Sequence, residues 1–438
     1  MNNNVSKIYD LIDKIRSSTK VYVNKIPFED LDLWSFDEEK LKHNSGKFFS
    51  IDGIEIRTNH GKVDRWDQPI INQPEIGILG IIAKEYDGVF HFLLQAKIEP
   101  GNINFVQLSP TLQATKSNYT KVHKGKTPDY LKYFLDKKRN IIIDQLQSEQ
   151  GARFLQKRNR NMIIKVDEEF EHNDNYCWTT LSQIKDLMHE NNVVNMDTRS
   201  VVAGLDITQK QRASFDRYSK QNGELYSFNE LLSWIADQKT KYDLEVRRIA
   251  LSEMRNWEIT EDEIYHKDNK YFKVIAANVT IGNREVTHWT QPMVESAQEG
   301  LIAFVVKRIN GVIHFIVQAK VEAGNLDIIE LAPTVQCLTG NYRETGEGKL
   351  PFLDYVLNVN KNQKVFDTLQ SEEGGRFYRE QNRNMIIIAE DDFPNELPKN
   401  YTWMTYNQIQ AFMMFNNYIN IQARSLLAAI KRCDEEIN

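Results

Sequence analysis

The feature that most constrains this chain is an internal duplication at an offset of 223 residues. The segment QAKIEPGNINFVQLSPTLQATKSNY (95–119) aligns with QAKVEAGNLDIIELAPTVQCLTGNY (318–342), and 12 of the 25 positions are identical. The polar string QSEQGARFLQKRNRNM (147–162) recurs as QSEEGGRFYREQNRNM (370–385). Because each repeat is much longer than a solenoid unit, the duplication indicates two copies of one domain.

The duplication also predicts the domain boundaries and the class of fold. We expect a first domain at 1–205, a polar connecting segment at 206–228 and a second domain at 229–438. Each copy has the pattern of an α+β domain, with strands in KFFSIDGIEIR and NMIIKV and a hairpin that turns at YDG. Helices are predicted at both ends of a copy, including 183–190 and 198–205. Ser109 as an N-cap followed by Pro110 predicts one more helix start.

Composition excludes several classes of protein. The net charge of −6 is unlike that of a general nucleic-acid binder, and no apolar run is long enough to span a bilayer. The first residues have no apolar segment of the signal-peptide kind, so a cytoplasmic protein is expected. The three cysteines, Cys177, Cys337 and Cys433, have neither disulfide nor zinc spacing.

Polar residues alternate along the end of the predicted hairpin. Gln95, Lys97 and Glu99 share one face of a strand, and the second copy repeats the same three residue types. A solvated face would explain the alternation, but identical residues in both copies favour the lining of a cleft. In the polar string, Glu149 and Arg153 are four residues apart and would form a helical ion pair, whereas a loop conformation would let Gly151 approach a ligand closely.

Taken together, the strings QAKIEPGN, QLSPTLQATKSNYTKVH, QSEQGARF and RNRNM resemble the NDP-hexose 2,3-dehydratases of deoxysugar biosynthesis, over essentially the whole chain. The resemblance implies two Nudix-like domains and a homodimer. It implies a dTDP-4-keto-6-deoxyhexose substrate that loses its C2 hydroxyl as water and becomes a 3,4-diketo-2,6-dideoxy sugar. Since the C4 ketone acidifies the C3 hydrogen, neither a cofactor nor a metal is expected.

The resemblance suggests candidate roles for individual residues. The candidates for proton transfer are Glu99, Tyr119 and His123, and Lys97 or Asn118 is the candidate for polarising the C4 ketone. Arg153 and Arg160 are assigned to the pyrophosphate, and Glu149 to the orientation of Arg153. Trp66 either stacks on the base or sugar or caps the core. The full set predicted to bind substrate is Trp66, Gln113, Thr115, Ser117, Asn118, Glu149, Gly151, Arg153, Phe154, Asn159, Arg160, Asn161, Trp289, Asn341, Tyr342, Gly375, Arg376, Asn382 and Arg383.

The two copies are not equivalent at the proposed site. The first copy has hydroxyl or imidazole groups at three positions where the second has leucine or glycine: Thr115, Ser117 and His123 against Leu338, Gly340 and Gly346. We therefore predict that both copies hold a nucleotide sugar and that only the pocket containing the first copy's segment catalyses. Two alternatives are a metal-dependent pyrophosphohydrolase, for which the Arg-Glu-x-x-Glu-Glu pattern is missing, and a non-catalytic sugar-nucleotide sensor.

Overall fold

The two copies contain the same succession of strands and terminal helices. The computed structural model describes residues 2–116, 127–206, 220, 223–284, 286–338 and 350–431. The strands of the first copy are β1 Val21–Ile26, β2 Trp34–Phe36, β3 Lys40–His43, β4 Ser50–Thr58, β5 Arg65–Asn72, β6 Gly77–Tyr86, β7 Val89–Ile98, β8 Val106–Ser109, β9 Leu112–Ala114, β10 Asn140–Ser148, β11 Arg158–Lys165 and β12 Tyr176–Thr180. Those of the second copy are β13 Leu244–Ile249, β14 Trp257–Ile259, β15 Glu263–His266, β16 Phe272–Ile281, β17 His288–Ser296, β18 Gly300–Ile309, β19 Val312–Lys320, β20 Glu330–Ala332, β21 Val335–Leu338, β22 Lys364–Ser371, β23 Gln381–Ile388 and β24 Tyr401–Thr405.

Helices flank the strands of each copy. They are α1 Asn2–Ser18, α2 Leu131–Leu135, α3 Leu181–Met188, α4 Met196–Val202, α5 Phe228–Lys241, α6 Leu353–Asn358, α7 Tyr406–Met413 and α8 Ile421–Ala429, with 3₁₀ turns at Phe28–Asp30, Ala203–Asp206, Leu251–Glu253 and Lys361–Gln363. Helices α3 and α7 begin with capping boxes built on Thr180 and Thr405. Within the described ranges, every helix is too short or too polar to cross a membrane.

The predicted hairpin is the centre of a seven-stranded mixed sheet. β6 and β7 pair antiparallel around Asp87 and Gly88, whose φ angles of 48° and 79° suit a tight hairpin turn. The sheet has the order β10-β11-β6-β7-β12, with β8 and β9 added at the ends of β7 and β6. The second copy repeats this order as β22-β23-β18-β19-β24. The α+β prediction is confirmed in both copies.

Each copy also contains a smaller, five-stranded sheet, and the first strand of each copy pairs with the smaller sheet of the other copy. β1 pairs antiparallel with β16 of the second copy, and β13 pairs antiparallel with β4 of the first. The backbones approach closely where β13 meets β4, because a Cβ at Gly53 would lie 2.9 Å from the carbonyl oxygen of Ile249, whereas the equivalent position in β16 is Ala276. The two small sheets therefore contain strands from both copies, and so does the main hydrophobic core.

One predicted helix start is wrong. Ser109 ends strand β8 and residues 112–114 form strand β9, which pairs with β6. Thr111 between them accepts a hydrogen bond from the Ile82 amide at 2.9 Å and donates to the Leu93 carbonyl. Residues 109–114 therefore hydrogen-bond to the hairpin and do not begin a helix. The helices expected at 183–190 and 198–205 are present, each beginning two residues earlier.

Candidate active site shared by the two copies

The duplicated polar strings lie where the two copies meet. The turn after β7 of the first copy joins the string of the second: the Gly101 amide donates to the Gly374 carbonyl at 2.7 Å. A Cβ at Gly101 would lie 1.6 Å from the carbonyl oxygen of Phe377, so only glycine fits. The mirror contact joins the Gly324 amide to the Gly151 carbonyl, also at 2.7 Å. Each string therefore borders the polar strand of the other copy.

The first composite site is defined by six residues: Lys97, Glu99, Gln113 and Asp197 of the first copy, with Glu373 and Arg376 of the second. The Lys97 ammonium donates to a carboxylate oxygen of Glu99 at 3.1 Å and to the side-chain carbonyl of Gln113. The Gln113 amide in turn donates to the Asp197 carboxyl. A Cβ at Gly374, next to Glu373, would lie 2.9 Å from the Cβ of Glu99, so the two copies are in direct contact here.

The second composite site is the mirror arrangement: Lys320, Glu322, Gln336 and Gln422 of the second copy, with Gln150 and Arg153 of the first. The Gln336 amide donates to a carboxylate oxygen of Glu322 at 3.0 Å. A Cβ at Gly151 would lie 3.1 Å from the Cβ of Glu322. Glu99 and its counterpart Glu322 thus each lie against a loop of the other copy, and the lining of a cleft by this face stays a prediction.

The composite sites differ in their carboxyl groups. Asp197 is the second residue after Asn195, the N-cap of α4, and Gln422 is the second residue after Asn420, the N-cap of α8. Glu373 and Gln150 each directly precede the glycine that contacts the opposite copy. The first composite site therefore has three acids where the second has Glu322 and two neutral glutamines.

The environment separates the protonation states of these three acids. Burial would raise the pKa of Glu99, but the charge and hydrogen bond of Lys97 and the guanidinium of Arg284 hold it below its usual value. Burial raises the pKa of Glu373 to about 7, with a contribution from the charge of Glu99. Burial, together with the surrounding glutamates, raises the pKa of Asp197 well above its usual value. A carboxylate of lowered pKa therefore lies beside two carboxyls of raised pKa, the arrangement used to divide base and acid roles.

Among the described residues, buried polar atoms without protein partners occur at both composite sites, including Gln150 and Arg153 at the second. Within the described part of the chain, no hydrogen bond reaches the second carboxylate oxygens of Glu99 and Glu373, the side-chain oxygen of Asn102 or Nε of Arg376, although all are buried. Buried polar atoms are rarely left unsatisfied. A polar ligand would supply the missing partners.

The arginines of the strings stack on aromatic rings across the copies. Arg376 lies 4.2 Å from the ring centroid of Phe49, and Arg153 lies 4.0 Å from that of Phe272. The predicted ion pair between Glu149 and Arg153 is wrong: Glu149 accepts a hydrogen bond from Asn159 at 2.6 Å. The segment is a turn and not a helix, so the two side chains are not on a common helical face.

Other predicted site residues have structural partners. Arg160 and Arg383 form two-pronged ion pairs with Asp144 and Asp367 on the neighbouring strands. Asn161 donates to the Ser200 hydroxyl. Asn382 donates a hydrogen bond to Glu372, and the Phe154 ring packs against the Phe377 ring. The indole nitrogens of Trp66 and Trp289 donate hydrogen bonds to Gln68 and Gln291.

Gln68 and Gln291, of the two WxQP motifs, support the site loops. They donate to the carbonyls of Ala152 and Gly375 at 3.0 and 2.7 Å. Gly375 itself donates its amide to Glu373 at 3.0 Å. Thr115 is half-buried just before the undescribed segment. Six predicted residues lie outside the described residues: Ser117, Asn118, Tyr119, His123, Asn341 and Tyr342.

Sequence reasoning missed Asp197, Glu373 and Arg284. The first two could have been found by comparing the copies, because NMDTRS aligns with NIQARS and QSEQG aligns with QSEEG. Arg284 follows the end of β16 in the second copy by three residues, and the sequence does not show that its guanidinium donates to the Ile98 carbonyl of the first copy. In the described ranges, no three His, Cys, Asp or Glu side chains are grouped to hold a metal ion.

The fold and the site define a class: a tandem-duplicated α+β protein whose carboxyl-rich site is completed by both copies. The family model for NDP-hexose 2,3-dehydratase matches residues 5–205 and 228–430, and the chain belongs to that family. It is 45% identical over 423 residues to a dTDP-4-dehydro-6-deoxy-alpha-D-glucopyranose 2,3-dehydratase of Saccharopolyspora spinosa, covering 93% of this chain and 87% of the relative.

Two further relatives carry the same name. One, of Amycolatopsis orientalis, is 45% identical over 428 residues, which are 95% of this chain and 88% of the relative. The other, of Streptomyces violaceoruber, is 41% identical over 415 residues, which are 93% of each chain. The similarity therefore extends through both copies.

Proposed function

We propose that the protein is a hydro-lyase that removes the C2 hydroxyl of dTDP-4-keto-6-deoxyglucose and releases the 3,4-diketo-2,6-dideoxy sugar nucleotide and water. The observation that carries the proposal is the first composite site, where ionised Glu99 lies beside Lys97 and beside carboxyls of raised pKa. Removing the hydrogen next to the ketone and then the C2 hydroxyl needs a base, a hydrogen-bond donor to the C4 oxygen and an acid. The first composite site contains all three.

Each residue has a role in the proposed reaction. Glu99 takes the proton from C3, and the Lys97 ammonium stabilises the charge that develops on the C4 oxygen. Protonated Glu373 gives its proton to the C2 hydroxyl, and the C2–O bond breaks to release water. This leaves an enol with a C2–C3 double bond. Return of the Glu99 proton to C2, and transfer of the enol proton to Glu373, give the diketone and restore both carboxyls.

Asp197 and the cations have supporting roles in the proposal. Asp197 holds Gln113 and, through it, Lys97 in position, and it is a second source of the acidic proton. Arg376 and Arg284 supply positive charge for binding the pyrophosphate. Both guanidinium groups interact electrostatically with Glu99, so this charge lies next to the proposed base. Tyr119 and His123 stay candidates for proton transfer, and Trp66 and Trp289 for stacking on the nucleotide. At the second composite site, we infer binding of a nucleotide sugar through Arg153 without catalysis.

The direct test follows the sugar and the pyrophosphate separately. The protein is incubated with dTDP-4-keto-6-deoxyglucose and a chelator, and a vicinal diketone is trapped with an aromatic 1,2-diamine. Trapped diketone with an intact pyrophosphate supports the dehydratase. Release of dTMP would instead identify a pyrophosphohydrolase, and binding without turnover would identify a sensor.

We also infer three finer properties from the resemblance: a Nudix-related fold in each copy, a homodimer and a cytoplasmic location. The twelve equivalent strands of each copy support a common ancestral fold for the two halves. Light scattering coupled to size exclusion measures the mass of the assembly, and a mass of about 51 kDa instead of twice that value would contradict the homodimer.

A further inference from the structure

A buried arginine connects the two copies behind the first composite site. Arg199 on α4 is 1% exposed. Its guanidinium donates to the carbonyl of Ser371 at 2.6 Å and to the side-chain oxygen of Gln370 at 3.1 Å, both in the second copy. Its Nε donates to the Ser425 hydroxyl at 2.7 Å, also in the second copy. The contacts therefore fix one point of the second copy's backbone to α4 of the first.

The fixed point lies at the start of the site loop. Ser371 is the last residue of β22, and Glu373 follows two residues later. Arg199 also lies two residues after Asp197 on the same short helix. A single side chain thus joins the helix that carries one acid of the site to the loop that carries another.

The second copy contains the mirror arginine. Arg424 on α8 is likewise 1% exposed. It crosses to the first copy and donates to the carbonyl of Ser148 at 2.6 Å, just before Gln150, and to the Ser200 hydroxyl at 3.0 Å. Arg424 therefore supports the loop of the second composite site, where glutamines replace two of the acids.

In the described ranges, the Arg199 guanidinium donates hydrogen bonds to carbonyl and hydroxyl oxygens and forms no ion pair. Burying this charge is unfavourable, the charges of Glu372 and Asp197 offset part of that cost, and an apolar side chain would leave the same acceptors without a donor. The planar fork of arginine is suited to fixing several acceptors in one geometry.

We propose that Arg199 is a positioning residue for the first composite site, which sets the distance between Asp197 and the Glu373 loop. The proposal rests on the proposed function for its catalytic consequence. Its structural part, that Arg199 holds residues 371–377 and Arg424 holds residues 148–154, is independent of which reaction is catalysed.

The test compares Arg199→Lys with Arg424→Lys as a matched pair. Hydrogen exchange measured by mass spectrometry should increase at least fivefold at 371–377 in Arg199→Lys and at 148–154 in Arg424→Lys. With dTDP-4-keto-6-deoxyglucose, Arg199→Lys should lose at least ten times more kcat than Arg424→Lys, with KM changed by less than threefold. A purely structural role would reduce both variants equally and would not separate kcat from KM.

The outcomes separate the two proposals. If the wild-type protein does not form the diketone, the proposed function fails, and the exchange data still decide whether each arginine holds its loop. If the wild-type protein is active but the two variants lose kcat equally, the positioning role is refuted. Should Arg199→Lys not fold, Ser425→Ala removes the Nε acceptor alone and should increase exchange at 371–377 and not at 148–154. Unchanged exchange there would also refute the proposal.

Discussion

Replacing Glu99 with glutamine removes the proposed base and leaves the size of the side chain unchanged. Glu99 is 4% exposed and accepts hydrogen bonds from Lys97 at 3.1 Å and Gln113 at 3.4 Å. The second copy offers a control, because Glu322 is 8% exposed and accepts from Gln336 at 3.0 Å. Glu99→Gln weakens a hydrogen bond to a charged acceptor and should lose about 1.5–3 kcal/mol of unfolding free energy. Burial raises the pKa of Glu322, so a neutral glutamine there relieves a buried charge and Glu322→Gln should lose less.

Turnover should separate the two variants. Loss of a general base typically lowers kcat by roughly 10²–10⁴-fold, which corresponds to about 2.7–5.4 kcal/mol of transition-state stabilisation. We expect this loss for Glu99→Gln and less than a threefold change for Glu322→Gln, measured by diamine trapping of the product. Proton NMR in D₂O should also show that Glu99→Gln no longer exchanges the C3 hydrogen. Equal loss of kcat in both variants, or a Glu99→Gln variant with more than a tenth of normal kcat, would refute the assignment.

Three other predictions follow from the charges and the strand exchange. The raised pKa of Glu373, about 7, predicts that kcat/KM falls tenfold per pH unit above pH 7, because the acid must be protonated; a flat profile to pH 9 would exclude it. Burial raises the pKa of Glu330 and Glu372 to about 8, so the folded state binds more protons than the unfolded state between about pH 4.5 and 8, and Tm should fall as pH rises through this window. Glu330→Gln, which introduces the residue type of Gln107 in the first copy, should raise Tm at pH 8.5 and not at pH 4.5. Equal shifts in Tm at both pH values would refute a destabilising charge on buried Glu330. A chain divided within 207–219 should be inactive as separate halves and active after co-expression, whereas activity of the first half alone would disprove the composite site.

The hairpin and the two-copy organisation were predictable because they depend on local signals. The continuous apolar run of β6, the alternation at the end of β7 and the YDG turn indicate the hairpin without reference to the rest of the chain. The helix expected after Ser109 was wrong because Thr111 is satisfied by Ile82 and Leu93 of the hairpin. Serine and proline are a local signal for a helix start, and pairing with a distant strand overrides that signal.

The composition of the site was only partly predictable. Lys97, Glu99 and Gln113 were candidates because both copies repeat them, and the structure brings all three together. Arg153 was predicted to bind the pyrophosphate, and the structure places it next to Glu322 of the second copy and not next to Glu99. An alignment of a chain with itself shows which residues are equivalent, and it does not show which copy's strand a loop will contact.

Exchange of elements explains why a second copy without a full set of acids is retained. The first composite site takes Glu373 and Arg376 from the second copy, and its polar strand rests on Gly374 through the amide of Gly101. Deleting the second copy would therefore remove an acid and an arginine from the first composite site and a strand from the small sheet of the first copy. The second copy thus contributes to the first composite site although its own composite site has glutamines, Gln422 and Gln150, in place of two acids.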